Sequence, residues 1–219
     1  MEHFILWKSL MDRKRFFFFF LGMITVAMLV LVGSAFLLRP QEVPSDATAP
    51  YQGTDLGGVP APDFRLVDQT GTPITLSHLR KRPVVLTFLY THCPGPCPLM
   101  AEKLRSTAEL LGAQANQVTW LAVSLDPQKD TPASAVAFVE THRLTGRLHY
   151  LLGTRAELEP TWKAYAIGVQ SLSAPSATGS VMHTSGAFVI DQAGHERLFL
   201  DNTFAPTLLV TKLRALLTS

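Results

Sequence analysis

The 23 residues from Phe16 to Leu38 carry no charge and include five consecutive phenylalanines, Phe16 to Phe20. At about 1.5 Å rise per residue, a helix of that length crosses the roughly 30 Å hydrocarbon core of a bilayer. Arg13, Lys14 and Arg15 precede the run and only Arg39 follows it closely. The positive-inside rule then holds residues 1–15 in the cytoplasm and sends the chain beyond residue 38 outside, as a single-pass membrane protein. A cleaved signal peptide is the competing reading, with Gly33-Ser34-Ala35 as small residues for a peptidase. Its apolar region would span about 7–15 residues, shorter than this one. No cysteine near the end of the segment offers a lipid attachment point. An Arg- and Ser-rich transit segment is also missing, which favours a periplasmic domain on a bacterial inner membrane over the mitochondrial inner membrane.

The formal net charge of +2 belongs to the N-terminal stretch, where Lys8, Arg13, Lys14 and Arg15 outnumber Glu2 and Asp12. The remaining basic and acidic side chains balance, so no basic face for nucleic acid is expected. Hydrophobic residues make up 47% of the chain and charged residues 16%, which excludes a disordered chain.

Residues 39–62 hold Pro40, Pro44, Pro50, Pro60 and Pro62 among small residues and read as a Pro-rich linker. The folded domain is expected over 63–219. Phe64–Asp68 and Ile74–Leu76, joined by Gln69-Thr70-Gly71, read as a hairpin. Val84–Tyr90 and Val118–Leu125 are continuous apolar runs that suit strands buried on both faces. Helical spacing follows each run: Leu99 to Leu111 with Gly112 as a stop, then a helix opened by Thr131-Pro132. Leu148–Leu152 reads as a short strand, Arg155–Tyr165 as a helix, 170–180 as a loop, Ala187–Leu200 as a hairpin turning at Gln192-Ala193-Gly194, and Thr207–Leu217 as a helix. Strands separated by helices imply a central sheet covered on both faces. The fold class expected is α/β, a thioredoxin-like fold with an N-terminal β-hairpin and an inserted helix, preceded by one transmembrane helix.

The chain has two cysteines, both in Thr91-His92-Cys93-Pro94-Gly95-Pro96-Cys97-Pro98, between a buried strand and a helix. Four residues of separation let both sulfurs converge about one helical turn apart. Cys97 lies near a helix N-terminus, where the dipole and free N–H groups favour a thiolate. The spacing serves a redox pair, a soft-metal site, or both. A purely stabilising disulfide would close a loop of a few residues, with little entropic gain. Structural zinc wants four ligands, more than two thiolates supply. Two thiolates with an imidazole suit copper. Of the histidines, His3 falls on the cytoplasmic side, and His78, His142, His149 and His195 have no implied closeness to the cysteines. His92 is adjacent to Cys93, but neighbours at a strand end point apart. His183 stands just before the Ala187–Asp191 strand, where thioredoxin-like enzymes carry a cis-proline against their redox cysteines; the sequence there is Val181-Met182-His183-Thr184.

Three blocks resemble the Sco/SenC family of copper chaperones for cytochrome c oxidase, across a stretch running from about Gly58 to the C-terminus. They are Phe88 to Pro98 with both cysteines, Val123-Ser124-Leu125-Asp126-Pro127 through Asp130-Thr131-Pro132, and His183-Thr184 ahead of Phe188 to Gly194. The resemblance implies a copper site of Cys93, Cys97 and His183, holding Cu(I) and also Cu(II). It implies delivery to the dinuclear copper centre of oxidase subunit II, with other copper chaperones or thioredoxin-like reductants as partners. Two positions depart from the family pattern: Gly95, with Pro96 following, stands where an acidic residue is usual, and Met182 stands where Asp is usual. Both remove negative charge, which weakens support for Cu(II) more than for Cu(I). Met182 reads better as a packed residue than as an extra thioether ligand. Asp126, Asp130 and Thr131 suit a cap on the following helix that also braces the site; a simple N-cap and turn is the preferred reading of the three.

Three other readings compete. A cell-envelope thiol–disulfide oxidoreductase would use Cys93 and Cys97 without copper, although the three-residue spacer and absent cis-proline argue against it. A peroxidase shares Ala61-Pro62-Asp63-Phe64, but has Thr three residues before its reactive cysteine, where this chain has Tyr90. A copper sensor or store needs the same ligands as a chaperone.

Overall fold

The computed structural model describes residues 53–168 and 186–218, together with Met23, Met28 and Leu29. Those three are helical and exposed; the rest of the expected membrane anchor lies outside the described residues. Among the described residues no helix is long and apolar enough to cross a membrane. The chain divides into two units, Met1–Pro50 and Tyr51–Ser219, and the second holds the fold described below.

Eight strands form one mixed sheet in the order β1-β8-β7-β4-β5-β6-β2-β3. They are β1 (Thr54–Pro60), β2 (Arg65–Asp68), β3 (Pro73–Thr75), β4 (Val84–Leu89), β5 (Thr119–Ser124), β6 (Leu148–Leu152), β7 (Gly186–Ile190) and β8 (His195–Asp201). The helices are α1 (Pro96–Leu111), α2 (Pro132–Thr141), α3 (Arg155–Ala164) and α4 (Pro206–Leu217). β4 and β5 run parallel, in register from Val84↔Thr119 to Leu89↔Ser124, and β5 and β6 run parallel beside them. Every residue of β4 is buried, as its apolar run, interrupted only by Thr87, requires of a central strand covered on both faces. Around these strands Trp120, Tyr150, Phe88, Leu86, Leu104 and Leu121 close the core.

Local chemistry explains the boundaries. Thr131 caps α2 by accepting from the Ser134 backbone N–H at 3.1 Å, and the Ser134 hydroxyl accepts from the Thr131 N–H at 2.9 Å. Thr154 and Glu157 repeat the arrangement at α3. The β7–β8 turn is held by Asp191 Oδ1, which accepts from the N–H groups of Ala193 and His195, both at 2.9 Å. Gly194 takes φ 87° there.

One boundary differs from expectation. Residues 54–60, assigned by their glycines and Pro60 to the linker, form β1 and pair antiparallel with β8. Gly57 and Gly58 adopt φ 72° and 71°, and the register shifts between Asp55 and Val59. This is a bulged edge strand, the setting in which glycine and proline are tolerated within a sheet. Most of its side chains are exposed, so no alternating apolar pattern marked it.

Candidate metal and thiol site

β4 delivers the chain from the core into the turn that carries the cysteines. The Cys93 N–H donates to the Tyr90 carbonyl at 3.3 Å, and α1 begins three residues later at Pro96. Cys93 is 6% exposed and Cys97 is fully buried; both are free thiols. At the start of α1, Pro96 and Pro98 have no N–H, so the Cys97 amide is the single donor among the first three helical residues. Gly95 supplies no capping side chain. The Cys97 N–H goes instead to Sγ of Cys93, at 3.4 Å, which holds the two cysteines side by side. The convergence expected from the spacing is therefore present.

The expected thiolate character of Cys97 is not. Burial, reinforced by the neighbouring Cys93 thiol, pushes its pKa far above the ordinary thiol range. Loss of water around a fully buried sulfur outweighs the attraction of the helix terminus. Burial thus favours the neutral thiol at Cys97, and a metal binding there would displace the proton to solvent.

Behind the turn lies a polar cluster for which the sequence favours a cap over a brace for the site. Asp130 is buried, and its carboxylate accepts four hydrogen bonds. Oδ1 takes the Thr91 backbone N–H at 2.9 Å and the Thr91 hydroxyl at 2.7 Å. Oδ2 takes the Ser124 hydroxyl at 2.6 Å and the Tyr150 hydroxyl at 3.1 Å. A carboxylate has about four acceptor positions, so this one is saturated. Burial and the nearby Asp130 charge raise the Tyr150 pKa well above its usual value, which keeps it a donor. The cap-and-turn reading holds for Thr131 and for Asp126, whose carbonyl accepts from the Asp130 N–H at 2.8 Å. For Asp130 it is replaced by a role inside the domain. The available signal was the hydroxyls of Ser124 and Tyr150 within apolar strands, since buried hydroxyls need an acceptor.

The described histidines are dispersed. Nδ1 of His92 lies 2.9 Å from the Thr91 hydroxyl. That hydroxyl donates its only proton to Asp130, so the His92 ring donates to it from Nδ1. His142 faces Glu102 at 3.4 Å, His149 faces Asp68 at 2.8 Å, His195 faces Asp191 at 3.6 Å, and His78 is exposed. None of these joins the cysteines. Among the described residues no group of three or more His, Cys, Asp or Glu side chains is placed to hold an ion. His183, the expected third ligand, and Met182 lie outside the described residues. The chain re-enters at Gly186, whose carbonyl accepts from the Thr87 hydroxyl of β4 at 2.8 Å. A Cβ at Gly186 would press into the Phe199 ring and come within 2.6 Å of the Leu200 carbonyl oxygen, so only glycine fits there.

Comparisons with known proteins bear on the fold and the family. The SenC protein of Rhodobacter capsulatus is 29% identical over 148 residues, 64% of this chain and 64% of that protein. The match thus spans less than two thirds of the relative's length. Among solved structures, apo Sco1 from Thermus thermophilus superposes with a TM-score of 0.66 at 27% identity, covering 76% of this chain and 96% of the other. ScoI from Bradyrhizobium japonicum, described with copper bound, gives 0.65 at 24% identity, with 72% and 99% covered. These likenesses establish the thioredoxin-like α/β fold. The SCO1/SenC family model matches residues 54–218, and the chain belongs to that family.

Proposed function

We propose that this protein is a membrane-anchored copper chaperone that carries Cu(I) on Cys93, Cys97 and His183 and delivers it to the dinuclear copper centre of cytochrome c oxidase subunit II. The observation that carries the reading is the pair of free, buried cysteines at the start of α1, joined by the bond from the Cys97 N–H to Sγ of Cys93. Thiolates select soft Cu(I), and an imidazole completes a low-coordinate site that zinc would not prefer. Two residues, Thr184 and Ser185, separate His183 from Gly186, a reach of at most about 10 Å from the strand beside β4. The copper described in Bradyrhizobium japonicum ScoI supports the choice of metal. In this reading residues 16–38 anchor the chain in a bacterial inner membrane, residues 1–15 stay in the cytoplasm, and the domain faces the periplasm. There it receives copper from another chaperone and electrons from a thioredoxin-like reductant.

The deciding experiment uses the full chain, reduced and loaded anaerobically with Cu(I), in competition with a Cu(I) chelator beside His183→Ala and Cys97→Ser. Tight one-to-one binding that weakens in both variants supports the three-ligand site. Weak binding indifferent to His183→Ala overturns it. The closeness of the two cysteines also suits closure to a disulfide, so that result would make thiol–disulfide exchange with subunit II the function of the pair.

A further inference from the structure

The geometry points to Asp130 as the positioning residue of the cysteine turn, acting through Thr91 rather than on the metal. Thr91 is the second residue after β4 and lies two before Cys93. It is held to one carboxylate oxygen by both its backbone N–H and its hydroxyl. The other oxygen is fixed from behind by Ser124 at the end of β5 and Tyr150 in β6. Three adjacent strands thus converge on one carboxylate, which sets where the turn leaves the sheet. The distance from Thr91 to the sulfurs is short in chain terms: the Cys93 amide is bonded back to Tyr90, and the Cys93 sulfur holds the first amide of α1. Displacing Thr91 therefore moves Cys93 against Cys97. Saturation with four donors leaves Asp130 no free position for copper, which separates this role from that of a ligand.

The inference deepens the copper-chaperone reading and rests on it for the consequence in metal binding, but not for the consequence in thiol chemistry. The test measures two quantities on the full chain: Cu(I) affinity by chelator competition, and the equilibrium constant of Cys93/Cys97 disulfide exchange with dithiothreitol. Thermal unfolding is followed in parallel. Asp130→Ala is expected to shift the exchange constant by about tenfold, equivalent to about 30 mV for a two-electron couple, and to weaken Cu(I) binding by a similar factor. Asp130→Asn keeps an oxygen for Thr91 and is expected to rescue both quantities to within about threefold of the parent, since a neutral acceptor retains the bond. An Asp130→Ala protein that melts earlier but exchanges like the parent is merely destabilised, and overturns the proposal. Asparagine as damaging as alanine also overturns it, because charge rather than placement would then matter. Should Asp130→Ala not fold, Thr91→Val decides: a shifted exchange constant supports the role and an unchanged one refutes it. If the parent fails to bind Cu(I) while Asp130→Ala still shifts exchange, the chaperone reading falls and the positioning role stands.

Discussion

The backbone N–H of Cys97 donates to Sγ of Cys93 at 3.4 Å. A sulfur thus occupies the place that a Ser, Thr, Asp or Asn oxygen fills at most helix starts. Prolines on either side of Cys97 make that amide the one donor the cap must satisfy, and the bond is buried. Removing the acceptor strands the amide, at a cost of about 1–3 kcal/mol. Cys93→Ala should therefore lower the urea midpoint of the reduced, copper-free protein clearly more than Cys93→Ser, whose oxygen still accepts. Equal midpoints for the two variants would show that the sulfur does not cap the helix.

The neutral state of Cys97 has a consequence for metal affinity. Copper binds the thiolate, so binding must expel the proton, and apparent affinity rises with pH by at least about one log unit per pH unit. An ordinary thiol ends this dependence near pH 8.5, where it ionises by itself. The raised pKa of Cys97 carries the dependence beyond that point. Chelator competition from about pH 7 to 9.5 should show no plateau at the upper end. A plateau beginning near 8.5 would mean that Cys97 ionises like an exposed cysteine.

Asp68 ties the β2–β3 hairpin to β6 through a buried carboxylate. Oδ1 accepts from the Thr70 N–H at 2.9 Å, the Thr70 hydroxyl at 2.6 Å and the Thr72 N–H at 2.9 Å. Oδ2 faces His149 Nδ1 at 2.8 Å. Burial by itself would raise this pKa, but the bonds from Thr70, His149 and Thr72 outweigh it and hold it below the usual value. A depressed folded pKa contributes stability above the unfolded value of about 3.9, and loses it as pH falls through the folded value. Asp68→Ala should cost about 1–3 kcal/mol at neutral pH and distinctly less at pH about 2. Urea unfolding at both pH values measures this; a loss of equal size at each would trace the defect to packing instead of the carboxylate.

The central strands were legible because burial on both faces writes a mostly apolar run without alternation, as in Val84–Leu89 and Thr119–Ser124. The β7–β8 turn was legible because Asp191 and Gly194 act within a few residues of each other. β1 escaped because an exposed, bulged edge strand has no apolar alternation to show. Within the site, the spacing of Cys93 and Cys97 announced their convergence. The direction of the Cys97 pKa did not follow, because it depends on how deeply the fold buries one sulfur. The sequence singles out Asp130 but favours the cap over the brace, for a different reason. Its partners Thr91 and Tyr150 lie 39 and 20 residues away, and no local pattern encodes a bond closed by sheet topology.

Gly95 offers a direct test of how the site chooses an oxidation state. It is the N-cap of α1, adjoining the cysteine pair, and a Cβ placed there meets nothing within 4 Å. Gly95→Asp therefore adds a carboxylate to the rim of the proposed copper site without displacing a neighbour. A unit negative charge several ångströms from the metal interacts roughly twice as strongly with Cu(II) as with Cu(I), a gap of about 1 kcal/mol or more at an intermediate dielectric. Cu(II) affinity should rise about tenfold, and Cu(I) affinity, dominated by bonds to the thiolates, by a smaller factor. Separate competition titrations for the two ions would read this difference directly. If both affinities rise by the same factor, the carboxylate acts by ordering the helix start, and the missing charge at position 95 does not set the preference for Cu(I).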